Sequence, residues 1–224
     1  MGNFKYEKNY SEGGKEVTGY YIFGATAEGK RAAELTVPSN HEGLPVVGID
    51  SFALSYRGKL ECLTVSEGIT WIWPSAFNTC KKLVSVKLPN SLVTLGADAF
   101  GFCNSLKEIY IPNRVKAILK STFFSCKSLE LAVIGDSVTE IGKDAFWCCK
   151  NLKTVSLPAA LTHVEKDAFY ECNALTDVYF GGNLEAWKKI GIEKGNEHLL
   201  AARVHFLSKY RSSDFDDSYN TKGV

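Results

Sequence analysis

The stretch "SLVTLGADAFGFCNSLKEIYIP" (residues 91–112) decides the reading of this chain, because "SVTEIGKDAFWCCKNLKTVSLP" (137–158) repeats its plan. The two share a small residue before a Phe, a Cys three positions after it and a Leu six positions after it. Each then runs Leu-x-x-apolar-x-apolar and ends in Pro. Working outward, the cysteines Cys80, Cys103, Cys126, Cys149 and Cys172 fall at intervals of 23 residues. Phe52, Phe77, Phe100, Phe123, Phe146 and Phe169 follow at 25, 23, 23, 23 and 23. The first unit therefore reads as carrying two extra residues around Tyr56-Arg57, and all six phenylalanines read as core. Such even spacing is the mark of an internal repeat.

Within each unit, Leu83-Val86-Leu88, Leu106-Ile109-Ile111, Leu152-Val155-Leu157 and Leu175-Val178-Phe180 end in alternation, which argues for a short half-buried strand. Pro89, Pro112 and Pro158 stop it, since proline has no N–H for a ladder. A second apolar pair follows, such as Val115/Ile118 or Val138/Ile141. One unit cannot bury its own apolar edge, but stacked units can. The expected fold is therefore a repeat solenoid of about six 23-residue units with short parallel strands. Residues 1–34 read as an N-terminal cap, with "GYYIFGATAEGKRAAELTV" as a β-hairpin turning at "EGK". Residues 35–180 are the repeats. Residues 181–207 read as an α/β C-terminal cap, with Asn183 as a helix N-cap, Trp187 and Ile190 against the last rung, and a final strand within 202–206. Residues 208–224 read as a disordered tail, in which Asp214, Phe215, Asp216, Asp217 and Tyr219 are a solvated end rather than a docking motif.

The stretches at 91–112 and 137–158, the opening "TVPSNHEGLPVVGIDSF" (36–52) and the closing "LTDVYFGGNLEAWKKIGIEKGNEHLLAARVHF" (175–206) resemble the BspA-like leucine-rich repeats. The resemblance covers roughly residues 17–207. It implies a right-handed leucine-rich-repeat solenoid, a bacterial or protist surface location, and adhesion or protein binding without catalysis. It brings no catalytic motif.

The chain has 224 residues, 26 Lys plus Arg and 25 Asp plus Glu, so its net charge of +1 gives no electrostatic case for nucleic acid or an anionic membrane. No apolar run approaches the length of a membrane span. The N-terminal 20 residues carry no signal-peptide pattern. A leader removed from a surface protein and a cytoplasmic location are both compatible with this, and the resemblance favours the cell surface. The seven cysteines are expected to be free thiols, with five filling one buried column and Cys148 facing out. Metal sites want close Cys or His spacings, and His41, His163, His198 and His205 lie in different units. No cofactor, metal or catalytic residue is expected, and the chain is expected to be a monomer.

If Leu83, Val86 and Leu88 point inward, alternation sends the intervening residues outward. The outward pairs are Cys62/Thr64, Ser85/Lys87, Glu108/Tyr110, Leu131/Val133, Thr154/Ser156 and Asp177/Tyr179. Leu131 and Val133 make one rung apolar. A protein partner is therefore expected on a face carrying Lys87, Glu108, Tyr110, Leu131, Val133, Asp177 and Tyr179. The residues after the Phe column include Phe124, Trp147 and Tyr170 on consecutive rungs. They read as half-buried shields of the core, with carbohydrate or matrix binding as the alternative. An intracellular scaffold is the other alternative role. Trp73 and Leu119 stand where three other units have Gly48, Gly96 and Gly142 and the last has Glu165, and are expected to change the outer surface on an ordinary backbone.

Overall fold

The computed structural model describes residues 2–11 and 16–207. The tail expected over 208–224 lies outside the described residues. Each turn of the chain contributes one strand to each of two rows, and its Phe-bearing turn forms a third side. In the first row, Glu34–Val37, Cys62–Val65 and Ser85–Lys87 pair in parallel. Glu108–Tyr110, Leu131–Val133, Thr154–Leu157, Asp177–Phe180 and Arg203–Phe206 form a second parallel sheet. The second row runs through Val17–Ala25, Leu44–Ile49, Trp71–Ile72 and Thr94–Leu95, then Ala117–Ile118, Glu140–Ile141, His163–Val164 and Gly191–Ile192. Both rows lose ladder pairing at the same boundary, between the rung of Lys87 and that of Tyr110. The turns bridge the gap, for example through Phe100 N–H to the Thr122 carbonyl at 2.9 Å.

The core is a set of columns. Phe77, Phe100, Phe123, Phe146 and Phe169 are fully buried. Successive rings stack at 5.2, 5.8, 5.2 and 5.1 Å with planes within 16°. Behind each ring lies a cysteine whose thiol donates to a carbonyl one rung back: Cys103 to Phe77, Cys126 to Phe100, Cys149 to Phe123 and Cys172 to Phe146, at 3.2–3.4 Å. A small side chain with a weak donor fits there, adding a second bond to a carbonyl that already accepts a backbone N–H, as Phe77 does from Cys80 at 3.3 Å. All seven cysteines are unpaired. Burial pushes the thiols of Cys126 and Cys172 up to about 12 and raises Cys103 and Cys149 as well, so these four are poor nucleophiles, whereas the hydrogen bond with Cys103 lowers Cys80 at the start of the column. Cys62 is exposed and Cys148 half-buried, both outside the column.

The first rung corrects the sequence reading. Phe52 is not core; it is 62 % exposed. Leu54 occupies the Phe column, because its N–H bonds the Ala76 carbonyl at 2.9 Å as Phe77 N–H bonds that of Ala99. Cys80 accordingly donates to the Leu54 carbonyl at 3.3 Å. Leu54 to Phe77 and Leu60 to Leu83 are both 23 residues, so the first unit has no insertion. Arg57 falls in the cysteine column.

That register explains a feature the sequence did not display. Each turn holds two non-glycine residues in the left-handed region, on either side of the Phe column. One column is Phe52, Ser75, Asp98, Ser121, Asp144 and Asp167, with φ of 55–59°. The other is Tyr56, Thr79, Phe102, Ser125, Cys148 and Glu171, with φ of 56–61°. Each such residue costs of order 1–2 kcal/mol. The geometry turns every second N–H onto the next rung, as in Ser75 to Ala97 and Thr79 to Gly101. Trp73 and Leu119 have ordinary φ and project from their turns, 42 % and 40 % exposed.

The left-handed column also buries carboxylates. Asp144 is 7 % exposed, and its Oδ1 has no hydrogen-bond partner among the described residues. Burial pushes the Asp144 carboxyl up, against the pull of Lys143 and with the push of Asp167. Burial raises Asp98 in the same direction. A carboxyl raised on folding binds its proton more tightly in the folded state. Its contribution is full below the unfolded value near about 4 and is lost as pH rises through the folded value. Asp144→Asn is therefore expected to stabilise the fold at pH 7 by about 1 kcal/mol, the side chain being desolvated and asparagine tolerating this backbone. Urea unfolding of both proteins across pH 3–7 checks this: the gap should close as pH falls.

The N-terminal hairpin also differs from expectation. Phe4–Tyr10 pairs antiparallel with Val17–Ala25, whereas the segment after "EGK" leaves that sheet and begins the first row. At the other end, Leu184–Trp187 is helical, with Asn183 Oδ1 accepting the Ala186 N–H at 2.9 Å. Trp187 meets Phe180 edge-on at 5.3 Å, and Ile190 is buried. Asn196, 1 % exposed, stands where a further turn would continue the stack. Its Oδ1 accepts the Phe169 N–H at 2.9 Å, and its Nδ2 donates to the carbonyls of Glu165 and Glu193 at 2.9 and 2.8 Å.

Candidate interaction surface

The outward side of the first row is the surface the repeat architecture presents. Register places Glu108, Leu131, Thr154, Asp177 and Arg203 in one line, and Tyr110, Val133, Ser156, Tyr179 and His205 in the next. Alternation within the strands therefore assigned the directions of these side chains. Glu108, Tyr110, Leu131, Asp177 and Tyr179 are half-buried, each keeping part of its surface in water. Lys87 is exposed but belongs to the neighbouring sheet, across the break in pairing.

Val133 is a correction. It is 1 % exposed, so it offers a partner almost nothing. It does not join the contiguous core behind the strands. Its line is sunk at Val133 and Ser156, the latter 3 % exposed, between the half-buried Tyr110 and Tyr179. The strand pattern could assign Val133 its direction but not the height of its neighbours.

The rims of this surface are charged and ordered. Glu130 pairs with Lys153 at 2.7 Å and Lys107 at 3.6 Å, and the Lys153 hydrogen bond holds its carboxyl below the usual range. At the C-terminal end His205 stacks on Tyr179 at 4.5 Å, and its Nε2 lies 2.7 Å from Asp177 Oδ1. The His205 bond, then the Thr176 hydroxyl, keeps Asp177 below its ordinary value. The spacing of residues 177 and 205 gave no signal for this pair, because the C-terminal segment interrupts the 23-residue period before the strand returns. His163 meets Glu193 at 3.2 Å in the same way, and His41 stacks on Tyr6 at 3.6 Å.

The turn aromatics form a second feature. Phe124 and Trp147 are half-buried, and Tyr170 is 40 % exposed. Their centroids are 5.6 Å apart for Phe124–Trp147 and 5.0 Å for Trp147–Tyr170. Phe102, which column reading missed because it lies one residue further along its turn, extends the run at 5.2 Å from Phe124. Among the described residues no group of three or more His, Cys, Asp or Glu could hold a metal ion. No helix among them is long and apolar enough to cross a membrane.

Comparison with known proteins agrees with this architecture. The leucine-rich repeat protein of T. pallidum aligns over 92 % of this chain and 97 % of its own, with 26 % identity and a TM-score of 0.71. A leucine-rich repeat protein from Eubacterium ventriosum gives 24 % identity and a TM-score of 0.67, over 85 % of this chain and 47 % of its own. A leucine rich cell surface protein from Faecalibacterium prausnitzii gives 23 % and 0.58, over 87 % and 42 %. This chain thus spans under half the length of the latter two. No curated protein sequence matches it. Such repeats are typically non-catalytic interaction modules. Residues 47–176 match the BspA type leucine-rich repeat region in six copies, and the chain belongs to that family.

Proposed function

We propose that this chain is a protein-binding module, working at the cell surface in adhesion or a related contact, through the outward side of its first strand row. The observation that carries the reading is one continuous parallel sheet that sets Tyr110 and Tyr179 in one line on either side of the sunken Val133 and Ser156, with Leu131 in the adjacent line. Tyrosine is enriched in binding hot spots, and charged residues belong to the rim rather than the centre, which is the distribution on this face. A surface location is supported by the family and by the Faecalibacterium neighbour.

The test is affinity capture with this chain against two pools, extracellular or host-surface material and lysate of the producing cell. The partner recovered from the outside pool is expected to lose at least about 30-fold in affinity for the Tyr110→Ala/Leu131→Ser/Tyr179→Ala variant, that is roughly 2 kcal/mol. Because all three residues retain exposed surface, the variant should still fold. Val133→Ser should instead lower stability. Unchanged affinity in the triple variant sinks the proposed face, and capture from the lysate alone points to an intracellular scaffold.

The contiguous run Phe102, Phe124, Trp147 and Tyr170 favours a second reading, carbohydrate or matrix binding along the turn ridge. A glycan array separates the two, since stacking aromatics confer a sugar selectivity that is lost in Trp147→Ala and kept in the strand-face variant.

A further inference from the structure

Phe52 has no explanation within the fold. Its position in the turn is filled by Ser75, Asp98, Ser121, Asp144 and Asp167 on the other rungs, all left-handed. A phenylalanine there bears the same backbone cost and, being 62 % exposed, recovers little from burial. Tyr56 carries the same strain at 69 % exposure, so strain alone does not mark a site, and a use outside folding for Phe52 has to come from its neighbours.

Its surroundings supply one. Ile22, Ile49 and Ile72 are Cα partners on three successive rungs, so the residues that follow them, Phe23, Asp50 and Trp73, form one row. Backbone bonds from Asp50 N–H to the Ile22 carbonyl, 2.8 Å, and from Trp73 N–H to that of Ile49, 2.9 Å, hold the row in register. Phe23 and Trp73 are 46 % and 42 % exposed. Phe52 N–H bonds the Pro74 carbonyl at 3.2 Å, which anchors the third aromatic beside Trp73. Asp50 thus stands between two exposed aromatics, with a third two residues along. Its Oδ1 accepts the Ser51 N–H at 2.6 Å, and among the described residues it takes part in no ion pair.

The dimensions suit one kind of group. Rungs lie about 4.7–4.9 Å apart, so the backbones of Phe23 and Trp73 are separated by roughly 9.5 Å. Side chains rising on either side of Asp50 at that separation leave room for a cation above it, and a ring face attracts a cation within about 6 Å of its centroid. An ammonium that bears N–H groups keeps its water, whereas a fully methylated one has no hydrogen bonds to surrender on leaving it. We propose that Phe23, Asp50, Phe52 and Trp73 bind a quaternary ammonium group, the rings contacting its methyl groups and Asp50 supplying the counter-charge. The group is the one carried by choline headgroups and by trimethyl-lysine.

The test titrates the whole chain with tetramethylammonium, choline, phosphocholine and a trimethyl-lysine peptide, read by calorimetry and by tryptophan fluorescence. The uncharged isostere of choline, 3,3-dimethylbutan-1-ol, is the control. Saturable binding of the cations is expected, with the isostere at least about tenfold weaker. Phe52→Ser and Asp50→Asn should each weaken choline by at least about tenfold, while Tyr56→Ser, an exposed aromatic off the row, leaves it unchanged. Phe52→Ser restores the residue type of neighbouring rungs, so its melting temperature should hold or rise, and lost binding cannot be lost folding. Tighter phosphocholine binding supports the site and assigns it to headgroups; tighter trimethyl-lysine binding supports it and assigns it to methylated protein. Equal affinity for the isostere, full affinity in both variants, or no saturation by any cation at roughly 100 mM overturns the proposal.

Discussion

Phe123→Ala is expected to lower the stability of the fold by about 3–5 kcal/mol. The ring is fully buried at the middle of the stack, with Phe100 at 5.8 Å and Phe146 at 5.2 Å. Truncation leaves a cavity that these neighbours cannot fill, because each is held by its own turn's bonds to the next rung. A domain is typically stable by only about 5–15 kcal/mol, so the loss is a large share of the total. Phe52→Ser is the matched control at the other end of the phenylalanine series, and is expected to cost nothing. Urea unfolding of the two variants checks both. Comparable losses would mean that Phe52, not Leu54, packs in the column.

Asn196→Ala should be the most damaging single change outside the repeats, at about 3 kcal/mol. Three bonds end on this side chain, and removing it strands the buried N–H of Phe169 and the carbonyls of Glu165 and Glu193. Each buried group left without a partner costs about 1–3 kcal/mol, and water reaching the carbonyls offsets part of that sum. Hydrogen exchange distinguishes this from a general loss of packing. The Phe169 amide and the last turns should exchange faster, while the turns around Phe100 keep their protection. Uniform acceleration along the solenoid would instead make Asn196 an ordinary core residue. The prediction rests on the one-dimensional character of repeat stacks, in which each unit leans only on its neighbours.

The proposed interaction surface follows from the same one-dimensional logic. A strand adds two outward residues per rung, and stacking turns these pairs into lines. The partner-binding reading therefore depends on which side chains along a line stand high and which are sunk. Tyr110 and Tyr179 stand beside the sunken pair Val133 and Ser156, so a partner would meet the tyrosines and Leu131 rather than Val133. The corner proposed for a quaternary ammonium lies on the other strand row, so its variants leave this face untouched.

The sequence alone determined the period, the five Phe–Cys pairs and the inward and outward alternation. These depend on side-chain identity recurring at constant spacing, and burial in a repeated environment imposes the same identity each time. It also determined the closing helix and strand, since Asn183 and the apolar spacing after it act locally. Tertiary structure alone decided the rest. Leu54 rather than Phe52 fills the column because backbone bonds to Ala76 and Pro74 set the register of the first turn, and a composition match two residues away could not override them. The left-handed positions carried no glycine signal, since rung-to-rung bonds hold serine, aspartate, threonine and phenylalanine there alike. Val133 and Asn196 owe their burial, and Asp177 its histidine, to residues a rung or a closing segment away. Those contacts exist only once the chain has stacked.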